Sequence, residues 1–349
     1  MKVLAVALLL SVGVYSIPLD FPPRPPIVVS PREVQQEPEW ALVPDAEGNF
    51  HLVDVKAEAA AEPDTFFEAE RDVVFRLFTH TVHNRVVQLD NPGSLTGSSF
   101  NPGHPTRFVI HGWNGDGNSG INNAIRTAYL ARGNFNVFVV DWGLGANANY
   151  VTSRNRVGAV GAALARFIIF LHQQTGMSFG SVTVVGHSLG AHIAGLAGKN
   201  TQGTGRLGVI VGLDAALPLF SVDQPAQRLH NSDADYVESI HTNAGLLGFD
   251  QPLGDASFYP NFGRSQPGCG IDIAGNCAHS RAHQFFAESI TSDRGFWARQ
   301  CRNYNDILQE NCVAAGIDQL MGGEPSNTNA RGVFWLRTNS NSPFAVGQV

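Results

Sequence analysis

The pentapeptide Gly-His-Ser-Leu-Gly at 186–190 constrains the fold of this chain more than any other feature. It follows an apolar, strand-like run at 182–185 and precedes a run of small residues at 191–198. Gly-x-Ser-x-Gly between a strand and a helix predicts a sharp turn that holds the serine hydroxyl above a sheet. Ser188 is therefore a candidate nucleophile, and the alternative is a plain strand-to-helix turn with a surface serine.

Alternating strand-like and helix-like segments predict an α/β fold with a mostly parallel central sheet and helices on both faces. The clearest helix pattern covers 154–174, where apolar residues recur on one face. The strand-like runs are Val73–Thr79, Arg107–Ile110, Val137–Val140, Val182–Val185 and Gly208–Leu213. A further strand is expected near 332–338.

A serine hydroxyl becomes a good nucleophile when a histidine accepts its proton and an acid orients that histidine. In folds with this turn, the chain order is serine, acid, histidine. Asp214 directly follows the strand-like run 208–213, and active-site groups of α/β sheets gather at such carboxyl strand ends. The alternative for Asp214 is a helix cap or a turn residue.

Several histidines follow Asp214 and are candidate bases. His279 has the strongest local case, because a bond between the nearby Cys277 and Cys269 would pin its segment. His283 comes one helical turn later and is the runner-up. The other two candidates are His230 and His241, and His241 ends an apolar run that favours a structural role. His187 is not expected to act, since adjacent side chains on the turn point apart.

The tetrahedral intermediate of acyl transfer needs backbone N–H donors for its oxyanion. Leu189, directly after Ser188, is one candidate donor. Trp113 is the other, because it follows the strand-like Phe-Val-Ile and the dipeptide His-Gly at 108–112. Trp113 also fits a core or rim aromatic position.

The N-terminal region is predicted to lie outside the catalytic domain. Lys2, an apolar stretch at 3–14 and the residues before Ile17 predict a signal peptide at 1–16 that is too short to span a bilayer. Residues 17–65 are first rich in proline and then acidic, with a short hairpin expected within 40–55. They form a linker, a removable pro-segment or an extension wrapped on the domain. We expect the catalytic domain at 66–349.

Charge and composition exclude some classes of function and favour a secreted protein. The net charge of −7 is concentrated at 33–72, which hold 12 acidic and 2 basic residues, and no basic cluster follows, so nucleic acid is not an expected partner. Four cysteines fit an oxidising compartment. Lysine occurs only three times against 20 arginines. This bias fits an alkaline medium such as a gut lumen, or compositional drift.

No metal-ligand spacing, phosphate-binding loop or dinucleotide fingerprint is visible, so no cofactor and no metal are expected. Four sequence motifs surround the serine turn, the candidate acid, the candidate histidine and a candidate oxyanion donor. They are Gly-His-Ser-Leu-Gly-Ala-His-Ile-Ala-Gly at 186–195, His-Gly-Trp at 111–113, Gly-Leu-Asp-Ala-Ala at 212–216 and Cys-Ala-His-Ser-Arg-Ala at 277–282. Over about residues 66–345 the chain resembles the animal pancreatic-lipase family, most closely its insect neutral lipase and phospholipase A1 branch.

The resemblance implies an α/β-hydrolase fold and a role for each matching residue. It implies Ser188 as nucleophile, Asp214 as acid and His279 as base. It also implies oxyanion donation by Trp113 and Leu189, and the disulfide pairs Cys269–Cys277 and Cys301–Cys312.

Departures from the family pattern refine this expectation. Only seven residues separate Cys269 from Cys277, where triacylglycerol lipases carry a long lid, and the loop 244–260 is also short. Short loops resemble the phospholipase members and make lid-driven interfacial activation unexpected. Pro225 and His230 stand where calcium-binding members have carboxylates, so no calcium is expected. The chain ends before a C-terminal β-sandwich domain, so no colipase-type partner is expected.

We therefore expect a secreted serine carboxylester hydrolase that cleaves acylglycerols or phospholipids at a membrane or droplet surface through an acyl-enzyme. The alternative is a catalytically weak lipid-binding or storage protein of the same fold. An esterase for small soluble esters is a third candidate. The sequence leaves the oligomeric state open.

Overall fold

A computed structural model describes residues 39–45, 49–61, 66–272, 275–312 and 316–348. Within these residues, eleven strands form one sheet and two more form a separate hairpin. The predicted signal peptide and proline-rich segment lie outside the described residues.

The strands are short, and four of them, β5, β7, β9 and β10, are buried along their whole length. The hairpin pairs β1 with β2 in antiparallel register. The thirteen strands are β1 Trp40–Pro44, β2 Phe50–Asp54, β3 Val74–Phe78, β4 Arg85–Val87, β5 Thr106–Ile110, β6 Asn136–Asp141, β7 Val182–His187, β8 Val209–Leu213, β9 Tyr236–Ile240, β10 Ala256–Pro260, β11 Phe296–Cys301, β12 Gln319–Met321 and β13 Gly332–Leu336.

The large sheet has the order β12-β11-β13-β10-β9-β8-β7-β5-β6-β3-β4. Its centre, from β13 to β6, is parallel, while β3, β4, β11 and β12 add antiparallel pairs at the two edges. The predicted mostly parallel sheet is therefore confirmed. Since β5, β7 and β8 are neighbours, the loops that follow them meet at one edge of the sheet.

Helices cover both faces of this sheet, as predicted. The nine helices are α1 Val55–Ala60, α2 Ala69–Asp72, α3 Pro92–Leu95, α4 Gly120–Arg132, α5 Gly143–Ala146, α6 Tyr150–Thr175, α7 Leu189–Thr201, α8 Asn276–Thr291 and α9 Tyr304–Leu308 among the described residues. Three short 3-10 turns occur at Phe179–Ser181, Pro225–Gln227 and Asn261–Gly263. Helix α6 packs on α7 over one face, and α4 packs on α8 over the other.

Helix α6 begins four residues before the apolar pattern predicts. The side chain of Asn149 accepts a hydrogen bond from Thr152 N at 2.8 Å, so Asn149 caps the helix and fixes its start at Tyr150. The helix ends at Thr175 and is followed by Gly176, whose φ of +73° is the left-handed conformation that glycine favours. Although α6 is long and apolar enough to span a membrane, more than half of its most apolar window is buried inside the protein.

The predicted hairpin within 40–55 is present and packs on the sheet domain. Val43 and Val53 are buried in the same apolar cluster as the α6 and α7 face of the sheet. Helix α1 follows directly, and the side chain of Asp54 caps it. The boundary between an N-terminal extension and the catalytic domain at 65/66 stays a prediction.

Candidate active site

Ser188 lies on the sharp turn between β7 and α7. Its φ of +56° is a conformation that non-glycine residues rarely adopt, and its N–H donates to Leu213 O at 3.1 Å. A methyl group on Gly186 would lie 2.0 Å from Gly190 O, and one on Gly190 would lie 2.5 Å from Ile110 O. Both glycines are therefore required by close backbone approach, and the turn that the pentapeptide predicts is the one observed.

Asp214 directly follows β8, at the same edge of the sheet as Ser188, and its side chain is fully buried. Its Oδ1 accepts hydrogen bonds from Thr242 N at 2.7 Å and from Asn243 N at 2.9 Å. These two backbone donors satisfy one carboxylate oxygen and leave Oδ2 for another partner. The backbone of 242–243 thus helps to orient the carboxylate.

His279 supplies that partner from the first turn of α8. Its Nδ1 donates to Asp214 Oδ2 at 2.6 Å across 65 residues of sequence, and both side chains are buried. Because the carboxylate accepts the Nδ1 proton, Nε2 carries the basic lone pair. The structure therefore places the predicted base and the predicted acid in hydrogen-bond contact.

Ser188 is near this pair in the fold but is not bonded to it. Nε2 of His279 is buried and has no hydrogen-bond partner among the described residues, so no hydrogen bond joins it to Ser188 Oγ in this structure. Unliganded enzymes often show long or unaligned catalytic hydrogen bonds that tighten with substrate. The structure thus brings two of the three predicted residues into contact and holds the third on its turn.

The start of α8 is fixed by a short disulfide-bonded loop. Cys269 and Cys277 are joined by a disulfide, and Cys301 is joined to Cys312 farther along the chain. Asp272, inside the first loop, accepts hydrogen bonds from Cys277 N at 3.2 Å and from Ala278 N at 2.8 Å. This cap orients the helix turn that carries the base.

His187 and His283 surround His279 with two further imidazoles. The ring of His187 lies 4.4 Å from that of His279 and 5.5 Å from that of His283, and His187 Nε2 donates to the His279 carbonyl at 3.1 Å. Burial holds the pKa of His187 well below its ordinary value and lowers that of His283 to about 3. Both neighbours are therefore neutral and place no positive charge beside the base.

The remaining candidate histidines have other partners. His241 is buried, with Nδ1 donating to Phe249 O at 2.7 Å and Nε2 accepting from Ser239 Oγ at 2.9 Å, so both ring nitrogens are used internally. His230 Nδ1 pairs with Ser232 Oγ at 2.8 Å. These contacts fit structural roles.

The loop after β5 lies directly against Ser188. A methyl group on Gly112 would be 3.0 Å from Ser188 Cβ, so the backbone leading into Trp113 passes beside the hydroxyl. His111 supports this loop: Trp142 N donates to its Nε2 at 3.2 Å, and its Nδ1 donates to Gly112 O at 2.9 Å. Burial lowers the pKa of His111 and so favours this neutral form.

Leu189, the second candidate donor, is the first residue of α7 and is fully buried. Backbone N–H groups at a helix N-terminus have no partner within the helix and favour negative charge. Gly112, which precedes Trp113, approaches Ser188, and Leu189 directly follows Ser188 in the chain. Oxyanion donation by Trp113 and Leu189 stays a prediction.

Two regions are relevant to metal binding. Among the described residues, Cys269, Asp272 and Cys277 form a group with metal-ligand atoms, but both thiols are in the disulfide and the carboxylate caps α8. The second region is the stretch 225–233, which matches the calcium-binding stretch of some lipases. The ammonium of Lys199 lies against this stretch, 2.5 Å from Asp233 Oδ1 and 2.9 Å from Arg228 O.

Sequence reasoning did not find three contributors to the site. They are the Thr242 and Asn243 backbone donors, the cap by Asp272, and the contact of His187 with the base. An acidic residue just before a predicted helix start is a usable signal for the cap. Nothing in the sequence marks the other two, because they depend on which loop meets Asp214 and on the packing of α8.

The sequence is similar to a known protein family and to several characterised lipases. The family model described as Lipase matches residues 47–344. Pancreatic triacylglycerol lipase of Sus scrofa is 33% identical over 305 residues, covering 78% of this chain and 67% of that protein. The human protein of the same name is 33% identical over 302 residues, with 78% and 64% covered. The inactive pancreatic lipase-related protein 1 of Homo sapiens is also 33% identical, with 78% and 64% covered.

The chain thus spans about two thirds of the length of these relatives. Among solved structures, an esterase of Pyrococcus furiosus aligns with 66% of this chain and 80% of that chain, at 14% identity and a TM-score of 0.33.

Proposed function

Because this chain belongs to the Lipase family, we propose that it hydrolyses the carboxylic ester bonds of lipids through a serine acyl-enzyme. The observation that carries the proposal is the 2.6 Å hydrogen bond between His279 and Asp214, made beside a strained serine turn. A buried imidazole held by a carboxylate next to such a turn is the arrangement that serine acyl transfer requires.

In the proposed acylation, Nε2 of His279 accepts the proton of Ser188 Oγ as the oxygen attacks the ester carbonyl carbon. The carbonyl oxygen becomes an oxyanion that accepts hydrogen bonds from the N–H groups of Trp113 and Leu189. When the intermediate collapses, the bond to the leaving alcohol breaks and the Nε2 proton passes to that alcohol. Asp214 holds the imidazole and stabilises its charged form throughout.

In deacylation, a water molecule gives its proton to Nε2 of His279 and attacks the acyl carbon. The second intermediate expels Ser188, which recovers the proton and releases a fatty acid. Because no hydrogen bond joins Ser188 Oγ to Nε2 in the structure, we propose that substrate binding brings these two atoms together.

The proposed substrates are acylglycerols, phospholipids or both. The short loop 270–276 and the short segment 244–260 leave little chain for a lid, which supports a site that works without large lid opening. The relatives named as pancreatic triacylglycerol lipases favour acylglycerols, and the short loops favour phospholipids. The two disulfides support a secreted protein.

The rival proposal is a lipid-binding protein of the same fold with weak or no catalysis. A relative described as inactive, 33% identical to this chain, motivates it. The presence of Ser188, Asp214 and His279 favours the enzyme.

Side-by-side hydrolysis of triolein and phosphatidylcholine, at neutral and alkaline pH, tests the proposal. We expect the protein to release fatty acid from at least one substrate and the Ser188→Ala variant to release none. The ratio of the two rates assigns the substrate class. A folded protein that binds either lipid without hydrolysing any ester would instead support the rival.

A further inference from the structure

The N-terminal hairpin has one face on the core and one face in solvent. The register pairs Ala41 with Val53, Leu42 with Leu52, and Val43 with His51. Because opposite residues in an antiparallel pair point to the same side, His51 shares the inner face with buried Val43 and Val53, whereas Leu52 lies outside and is 65% exposed. The inner face therefore positions one polar ring, that of His51, against the domain.

His51 contacts the residue that we propose as an oxyanion donor. Its ring meets the Trp113 ring edge-on, with centroids 4.8 Å apart and an interplanar angle of 78°. Its Nε2 donates to Asp45 Oδ2 at 3.0 Å, and Asp45 is almost fully buried. The hydrogen bond to Asp45 fixes the orientation in which the imidazole presents its edge to the indole.

Trp113 also contacts residues at the start of α6. The Tyr150 ring meets the indole at 5.4 Å and 89°, and Trp113 Nε1 donates to Ala148 O at 2.9 Å. Trp113 is therefore in contact with both the hairpin and the first residue of α6, and its side chain is buried.

A second contact ties the hairpin segment to α6 itself. Glu58 of α1, which directly follows β2, accepts a hydrogen bond from Val151 N at 3.1 Å through Oε2. Val151 N belongs to the first turn of α6, where N–H groups have no partner within the helix. The hairpin, α1, α6 and Trp113 thus form a closed ring of contacts.

We propose that His51 is a positioning residue for catalysis, which acts by holding Trp113 and so the backbone N–H that follows Gly112. This inference rests on the proposed function, in which that N–H stabilises the oxyanion. It assigns the described residues 39–45 and 49–61 a part in the active site, which favours an extension wrapped on the domain over a linker or a removable pro-segment. Small displacements of a donor weaken transition-state stabilisation while leaving ground-state binding largely unchanged.

The test uses p-nitrophenyl butyrate, a soluble ester that needs no lipid surface. We expect His51→Ala to lower kcat about 5- to 10-fold with KM unchanged, less than the ~100-fold loss typical when a donor is removed outright. Affinity for a boronic acid, which forms a tetrahedral serine adduct, should fall in parallel. His51→Phe keeps an aromatic edge against Trp113 and should retain most activity.

Leu52→Ala is the matched control, because Leu52 is the next residue on the same strand but faces solvent. It should leave kcat at the wild-type value. Glu58→Ala removes the contact between α1 and α6 and should also lower kcat. This variant tests the ring of contacts independently, in case His51→Ala unfolds the hairpin. Glu58→Gln keeps an acceptor for Val151 N and should restore kcat.

Wild-type kcat in a folded His51→Ala variant, or equal losses in His51→Ala and Leu52→Ala, would overturn this inference alone. A folded wild-type protein without Ser188-dependent turnover would overturn the proposed function as well, so the two failures are distinguishable.

Discussion

Gly248 faces the carboxylate of Asp214 so closely that a methyl group there would lie 2.6 Å from Oδ1 and 2.8 Å from Oδ2. Hydrogen bonds fix both carboxylate oxygens. Thr242 N and Asn243 N donate to Oδ1, and His279 Nδ1 donates to Oδ2. Gly248 therefore acts as a spacer that sets the position of the acid.

Replacing Gly248 by alanine should displace Asp214 and misalign His279. We expect kcat to fall about 10- to 100-fold, the scale of loss that accompanies an ångström-sized misplacement of a catalytic group. Steady-state hydrolysis of a soluble ester measures this effect.

Gly158→Ala is the control for the same chemical change. Gly158 is exposed in the middle of α6, and no atom lies within 4 Å of the added methyl. Activity should be unchanged and stability should rise by about 0.5–1 kcal/mol, since alanine is the better helix former. Equal activity in Gly248→Ala and Gly158→Ala would show that the position of Asp214 does not limit turnover.

The ion pair between Lys199 and Asp233 is expected to stabilise the helix that follows Ser188. Asp233 is fully buried and Lys199 largely so, with 22% of its side chain exposed. Burial raises the pKa of Asp233 to about 6 even beside the ammonium. Removing one partner of a buried pair leaves an uncompensated charge, so Lys199→Met should cost about 3 kcal/mol of unfolding free energy at neutral pH.

The double variant Lys199→Met with Asp233→Asn is the companion measurement. Asparagine can still accept the hydrogen bond that His230 N donates to Asp233 Oδ2, and it carries no charge. Urea unfolding of both variants should show that much of the lost stability returns in the double variant. Additive losses would contradict a charge-based role.

Glu238 is expected to make stability depend on pH. It is fully buried on β9, where Oε1 accepts from Gly322 N at 2.8 Å and Oε2 accepts from Tyr236 OH at 3.2 Å. Burial raises its pKa from 4.5 to about 7. The folded state thus holds this proton more tightly than the unfolded state, so the associated stability is complete below pH 4.5 and is lost as pH rises through 7.

Glu238→Gln keeps an acceptor for Gly322 N and removes the titration. Relative to this variant, the wild-type protein should lose on the order of 2–3 kcal/mol of unfolding free energy between pH 5 and pH 8. Urea unfolding at several pH values gives both curves. Parallel curves would mean that Glu238 does not titrate across this range.

Strands β3, β5, β6, β7, β8 and β13 could be predicted because each contains a mainly apolar run, such as 137–140 and 182–185. The sequence analysis predicts no strand at β4, β9, β11 or β12, and it treats 244–260 as a loop, where the structure has β10 at Ala256–Pro260. Strand β11 reads Phe-Trp-Ala-Arg-Gln-Cys, and its polar residues give no regular alternation. Its pairing with β13 and β12 is decided by tertiary contacts.

Ser188 and Asp214 could be placed by sequence because each directly follows a recognisable strand. The histidine could not be assigned from local pattern alone, since His279 and His283 lie one turn apart on the same helix. Their roles separate only through distance: His279 Nδ1 reaches the Asp214 carboxylate, whereas His283 packs near His187. The hairpin contact at Trp113 joins residues 62 positions apart and has no sequence signature.

The account's central claim is that His279, oriented by Asp214, activates Ser188. Labelling with a fluorophosphonate, followed by mass spectrometry of the peptides, tests it most directly because the reagent reacts with an activated serine. We predict a single adduct on Ser188 in the wild-type protein, none in Ser188→Ala, and labelling at least ~100-fold slower in His279→Ala. A folded wild-type protein that remains unlabelled at Ser188, or a His279→Ala variant labelled at the wild-type rate, would contradict the account.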